Sequence, residues 1–154
     1  MQILTLHCTT FTYTPTTPTT PSAALLPDGD IGTPVALGEC LYALVTVQPG
    51  DRPTTVSQAA RGLRRIARST RAKKVVVNAF AHLAADLADP ATTQSLVHRL
   101  AERLDESPEW DVVELPFGWR KHWQLEVSPH EWAERAIHVS PYASRPAEQD
   151  QLVC

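Results

Sequence analysis

A proline and a glycine two residues apart, Pro116 and Gly118, interrupt an apolar run, so a strand ending near Leu115 must turn sharply there. The turn is followed by Trp119-Arg120-Lys121-His122-Trp123, two large flat rings with two cations and an imidazole between them. A guanidinium, an ammonium and an aromatic plane supply charge, hydrogen-bond donors and a stacking face, which is what a nucleotide or an anionic substrate requires. An ordinary hairpin corner with its charges in water has the same composition. The stretch thus specifies strand, turn, strand, and leaves open whether the corner is a site.

The rest of the chain supplies elements for that corner to pack on. Residues 2–8 alternate around Ile3, Leu4 and Leu6 as a strand does, and residues 9–13 suit a second strand. From Thr14 to Gly38 five prolines stand among threonines and glycines. Such a segment buries too little to order itself, so it is expected to be a mobile loop, with residues 15–36 dispensable for chemistry. Residues 39–48 read as a strand covered on both faces. Val56, Ala59, Ala60, Leu63, Ile66 and Ala67 fall at helical spacing and predict a helix over 54–69. A buried strand over 73–80, a loop over 81–89, a helix over 92–106 and strands over 110–115 and 122–127 follow. Residues 132–139 fit helix or strand by pattern alone.

Composition narrows the class. At 154 residues with 43% apolar content the chain is one soluble domain with a real core. No apolar run approaches membrane-spanning length and no basic-then-apolar leader opens the sequence, so a cytoplasmic protein with no membrane contact is expected. Three cysteines, far apart and without a Cys-x-x-Cys, suggest neither a disulfide framework nor a thiolate zinc site. Six histidines include no pair at ligand spacing, so no metal is expected; no cofactor is implied either. Residues 61–74 carry seven basic side chains and no acidic one, leaving seven basic against seventeen acidic elsewhere. That polarity describes either an anion-facing patch on an acidic body or a solvated helix face.

Three motifs then agree with one another. Pro116-Phe117-Gly118-Trp119 with Lys121 resembles the Pro-Phe-Gly-aromatic-x-Lys signature of the archaeal threonyl-tRNA synthetase editing domain. Ala79-Phe80-Ala81-His82-Leu83 resembles that family's Phe-Ala-His-Leu motif, and His130 with Ala133-Glu134 resembles its His-x-x-Ala-Glu segment. The opening Ile3-Leu4-Thr5-Leu6-His7 resembles its first strand, which ends in histidine. The match runs in order over roughly residues 1–140, which is more specific than any single motif. The resemblance implies a strand at 132–139, and hence the order ββ-βα-βα-βββ: an α/β, D-aminoacyl-tRNA deacylase-like domain with two sheets and a helical layer. Residues 1–141 would be the editing domain and 142–154 a polar tail or truncated linker.

The same resemblance implies hydrolysis of seryl-tRNA(Thr) made in error, a homodimer, and linkage to catalytic and anticodon-binding domains that this length cannot hold. It makes Lys121, Glu134 and His82 catalytic candidates. Substrate contacts fall to His7, Ala81, Phe117, Gly118, Trp119, Arg120 and His130, while the basic run, read from charge alone, offers Arg61, Arg64, Arg65 and Arg68 for tRNA contact. Lys121 can steady a hydroxyl or a developing oxyanion, and Glu134 can position water or an amino group, or simply pair with Lys121. No serine or cysteine nucleophile signature occurs, which favours attack by water. Arg120 departs from the aromatic that many family members carry before the lysine, and Cys8 stands where serine is frequent. A D-aminoacyl-tRNA deacylase shares the fold, and a non-catalytic tRNA-binding or dimerisation module would explain the basic run alone.

Overall fold

The computed structural model describes residues 1–142; the tail expected from residue 142 onward otherwise lies outside them. Strand β1 runs from Gln2 to Pro18 as a single element, where the sequence suggested two strands and then a loop. Its first half pairs antiparallel with β3 (Cys40–Thr46) on one edge and with β7 (Glu134–His138) on the other. Its second half pairs with β6 (Trp119–Val127) and with the short β2 (Val35–Ala36). Register shifts between Cys8 and Thr10 and between Pro15 and Thr17 bend it, as bulges do, and the second shift seats a proline in a strand at little cost.

The remaining elements follow the sequence closely. Helix α1 (Pro53–Thr70) leads to β4 (Lys74–Ala79), and α2 (Pro90–Asp105) to β5 (Asp111–Glu114). β3, β4 and β5 are parallel neighbours. The element order is ββ-βα-βα-βββ as expected, except that the second strand is β2 rather than residues 9–13. The two sheets implied by the resemblance are joined here into one curled, seven-stranded sheet, because β1 belongs to both halves.

Every residue of β3 is buried, since both sheet faces are covered. On one face Leu41, Ala43, Val75 and Val77 meet the apolar stripes of α1 and α2. On the other, Phe11, Tyr42, Val76 and Leu115 form a second core that Trp123 and Leu125 of the curled-over β6 close. Local signals set the helix ends. Pro53 and Pro90 occupy first-turn positions, where a missing N–H is harmless. The Asp89 carboxylate caps α2 by accepting from the Thr92 amide at 2.9 Å. Among the described residues no helix is long and apolar enough to cross a membrane.

Candidate functional site

β3 and β4 end at the same level, and the chain leaving each of them opens a crevice, the usual place for a ligand in a parallel α/β sheet. A cavity of about 240 Å³ lies there, with Thr46 and Ala81 on one side and Phe117, Gly118, Trp119 and Lys121 on another. Thr46 Oγ1 donates to the Phe80 carbonyl and accepts the Leu83 amide at 3.3 Å. One buried hydroxyl therefore holds both ends of the turn that presents the Ala81 main chain.

The Phe117-Gly118-Trp119 turn is built to a tight tolerance. Gly118 has φ +74°, and a Cβ there would lie 2.7 Å from Thr20 Cγ2 and 2.9 Å from Ala23 Cα. Only glycine satisfies both the backbone and the approach of the neighbouring chain. That neighbour is part of the proline- and threonine-rich segment expected to be mobile. Thr19 donates its amide and its hydroxyl to the Gly118 carbonyl at 2.7 and 2.9 Å. Ala24 donates its amide to Phe117 O at 2.9 Å and accepts from Trp119 Nε1 at 2.7 Å. Non-local hydrogen bonds to β6 and its turn order the segment, a partner that composition cannot reveal.

Side chains alternate along β6, with Trp119, Lys121 and Trp123 inward and Arg120 and His122 exposed. Lys121, opposite the buried Pro15 on β1, donates from Nζ to Trp119 O at 2.9 Å. Burial lowers its pKa to about 8, and no anionic partner stands beside it among the described residues. Arg120 stands on the other face, opposite Thr17, so its departure from the family pattern does not reach the cavity wall. His82 is exposed, its ring edge-on to Phe80 at 5.1 Å, on the same loop as Ala81.

His7, His130 and Glu134 form a separate group. Glu134 is opposite Leu6 on β1 and Lys121 opposite Pro15. Nine positions of extended chain span at most about 30 Å, and Glu134 and Lys121 make no ion pair with each other. Glu134 and His130 line a shallow hollow, and buried His7 meets His130 at Nδ1 to Nε2 2.7 Å. Because His130 Nδ1 accepts the Trp132 amide at 3.2 Å, its proton is on Nε2 and points to His7. The His7 proton is then on Nε2, 3.5 Å from the Glu39 carboxylate.

The basic run is divided as well. Arg68 makes two hydrogen bonds to Glu109, at 3.1 and 2.8 Å, and Arg64 donates to Arg103 O and lies 3.9 Å from Glu106. Arg61 and Arg65 are exposed and enter no salt bridge among the described residues. α1 runs antiparallel to β3 and β4, so its second half lies towards the end of the sheet remote from the cavity. Among the described residues, no group of three or more His, Cys, Asp or Glu is placed to hold a metal ion.

Sheet, helical layer and crevice together define an α/β domain of the D-aminoacyl-tRNA deacylase-like type. The model of the archaea-specific editing domain of threonyl-tRNA synthetase matches residues 1–139, and the chain belongs to that family. It is 33% identical over 142 residues to the threonine–tRNA ligase of Nitrosopumilus maritimus, covering 91% of this chain and 22% of that protein. It is 32% identical over 117 residues to that of Methanopyrus kandleri, covering 74% and 19%. The chain thus spans about a fifth of the length of these relatives. In fold it is similar to a c-Myc DNA unwinding element binding protein (TM-score 0.67, 11% identity, 91% of this chain and 99% of that one).

Sequence reasoning missed Thr19, Thr20 and Thr46. The first two carried no signal within a low-complexity stretch. Thr46 was visible only as a polar residue inside an otherwise apolar strand.

Proposed function

We propose that this domain proofreads threonyl-tRNA synthesis by hydrolysing seryl-tRNA(Thr), releasing serine and free tRNA(Thr). The observation that carries this reading is Lys121, a half-buried ammonium without a carboxylate partner among the described residues, set against the cavity that the Ala81 loop and the Phe117–Trp119 turn enclose. With a pKa of about 8, Lys121 is largely protonated at neutral pH and can donate to the seryl hydroxyl or to the oxyanion formed as water attacks the ester carbonyl carbon. The carbon–oxygen bond to the terminal ribose then breaks, and the ribose oxygen leaves with a proton. Cys8 and Cys40 are buried in the core and no serine or cysteine nucleophile signature occurs, which favours attack by water, with the tRNA 2′-hydroxyl and main-chain groups assisting. A pocket selecting threonine gains only about 1–3 kcal/mol from one methyl, which is why a second, smaller site is needed to remove serine.

His82 is close enough in sequence to Ala81 to act from the same loop. Glu134 and His130 line a different hollow from Lys121, and a homodimer in which a second copy brings them to the Lys121 cavity would give each of them a place in the reaction. Of the four arginines expected to meet tRNA, Arg61 and Arg65 enter no salt bridge among the described residues, and the synthetase catalytic and anticodon-binding domains would lie in the longer protein, in the cytoplasm. The test is release of free serine from seryl-tRNA(Thr), with L-threonyl and D-seryl esters in parallel. Preference for the D-seryl ester would move the assignment to a D-aminoacyl-tRNA deacylase. Binding of tRNA without turnover of any ester would leave a non-catalytic module.

A further inference from the structure

We infer that Thr19 and Thr20 are a working wall of the cavity, held in place by the 19–24 segment, and that they set the discrimination between seryl and threonyl esters; this rests on the hydrolase reading above. Thr19 and Thr20 line the cavity together with Thr46, Ala81 and Lys121. Four hydrogen bonds of 2.7–2.9 Å fix the segment to the Phe117–Trp119 turn. They come from main chain, one threonine hydroxyl and an indole, so the position of the wall depends on the same turn that aims Lys121. Its seat is Gly118, against which the Thr20 methyl and the Ala23 Cα pack closer than a Cβ would allow.

A wall located by a glycine seat and four hydrogen bonds has little freedom to retreat. Serine and threonine differ by one methyl, and a pocket accommodates or rejects a methyl according to whether a wall can move by a fraction of its own van der Waals contact. The neighbouring strand shows the same construction. β1 continues to Pro18 only because it pairs with β6, and the segment then crosses the Gly118 turn close to Lys121. Desolvation of Lys121 is consistent with that cover.

Two substitutions separate position from composition. Ala24→Pro removes the amide that donates to Phe117 O. Thr20→Ser keeps the hydroxyl that meets Ser22 at 3.1 Å and deletes the methyl seated on Gly118. We expect Ala24→Pro to lower kcat/KM for the seryl ester at least fivefold, and both variants to lower the seryl-to-threonyl ratio of kcat/KM at least threefold. A merely structural role would reduce both esters alike. Unchanged rates and ratio in an Ala24→Pro protein whose Thr19 and Ala24-region amides exchange freely would overturn the proposal. If Ala24→Pro does not fold, an unchanged ratio in Thr20→Ser does so instead. Should the wild-type protein hydrolyse neither ester, the functional reading fails. The wall is then judged by side-chain NMR titration of Lys121, whose pKa should rise from about 8 towards its ordinary value in Ala24→Pro; no change would remove the wall from the site.

Discussion

Replacing Lys121 by methionine keeps an unbranched, apolar stem and removes the ammonium. The pKa falls from 10.5 to about 8 through burial, and each unit corresponds to about 1.4 kcal/mol. The folded protein therefore carries a penalty of up to about 3 kcal/mol at neutral pH for holding this charge. The hydrogen bond from Nζ to Trp119 O offsets part of the benefit of deletion, by about 1–2 kcal/mol. Lys121→Met should then be more stable than wild type by about 1–2 kcal/mol at pH 7, while losing seryl-tRNA(Thr) hydrolysis by more than about tenfold. The sign follows from proton linkage. Below pH 8 both folded and unfolded states hold the proton and the penalty is complete. Between about 8 and 10.5 the unfolded chain binds a proton that the folded one does not, so wild-type stability rises with pH relative to the variant. Urea unfolding of both proteins from pH 7 to 10 measures this directly. A variant less stable than wild type at pH 7, with a gap that does not change with pH, would show that Lys121 is solvated and that its environment has been misread.

Reversing the charge of Arg61 and Arg65 should weaken tRNA binding and flatten its salt dependence, leaving cleavage of a seryl-adenosine ester within about twofold. Reversing Arg68, already paired with Glu109, should act on stability rather than on tRNA binding, and only slightly, because an exposed ion pair contributes little. If a second copy supplies Glu134, mixing Lys121→Met with Glu134→Gln protein and allowing exchange should restore hydrolysis towards a quarter of wild type, since one site in each mixed dimer is intact. No restoration despite subunit exchange, measured by native mass spectrometry, removes Glu134 from the cavity. Thr46→Val should raise KM or lower kcat about tenfold by releasing the Ala81 turn, whereas Thr46→Ser should retain activity; equal loss in both would mean packing rather than hydrogen bonding.

What the sequence made legible was local. The helical spacing of Val56, Leu63 and Ile66 recurs as buried positions of α1, and the apolar run at 39–48 is a strand buried on both faces. These patterns report the burial of an element without reference to its partner. The second half of β1 could not be read in this way. Thr14 to Pro18 has little apolar content, and it is a strand because Trp119 to His122, a hundred residues on, present a ladder for it. Proline there is tolerated at a bulge, a circumstance a composition argument cannot know. The motifs likewise identified residues worth placing but not their grouping. Lys121, Ala81 and Trp119 share a cavity, while Glu134 and His130 share a different hollow, because β6 and β7 pair with opposite halves of one strand.

That division has a physical consequence for how the site is held. Among the described residues Lys121 has no carboxylate to fix it, so its position depends on the hydrogen bond to Trp119 O and on burial by neighbouring chain. A charge kept without a counterion remains available to a substrate, where a paired one would already be satisfied. The arrangement is tolerable only because the surrounding backbone is over-determined: Gly118 is seated under Thr20 and Ala23, and Trp119 is tied to Ala24. The threonine-rich segment thus belongs to the same mechanical unit as the lysine. Loosening it should let water reach the ammonium, relieving the strain on Lys121 and weakening its hold on a substrate together.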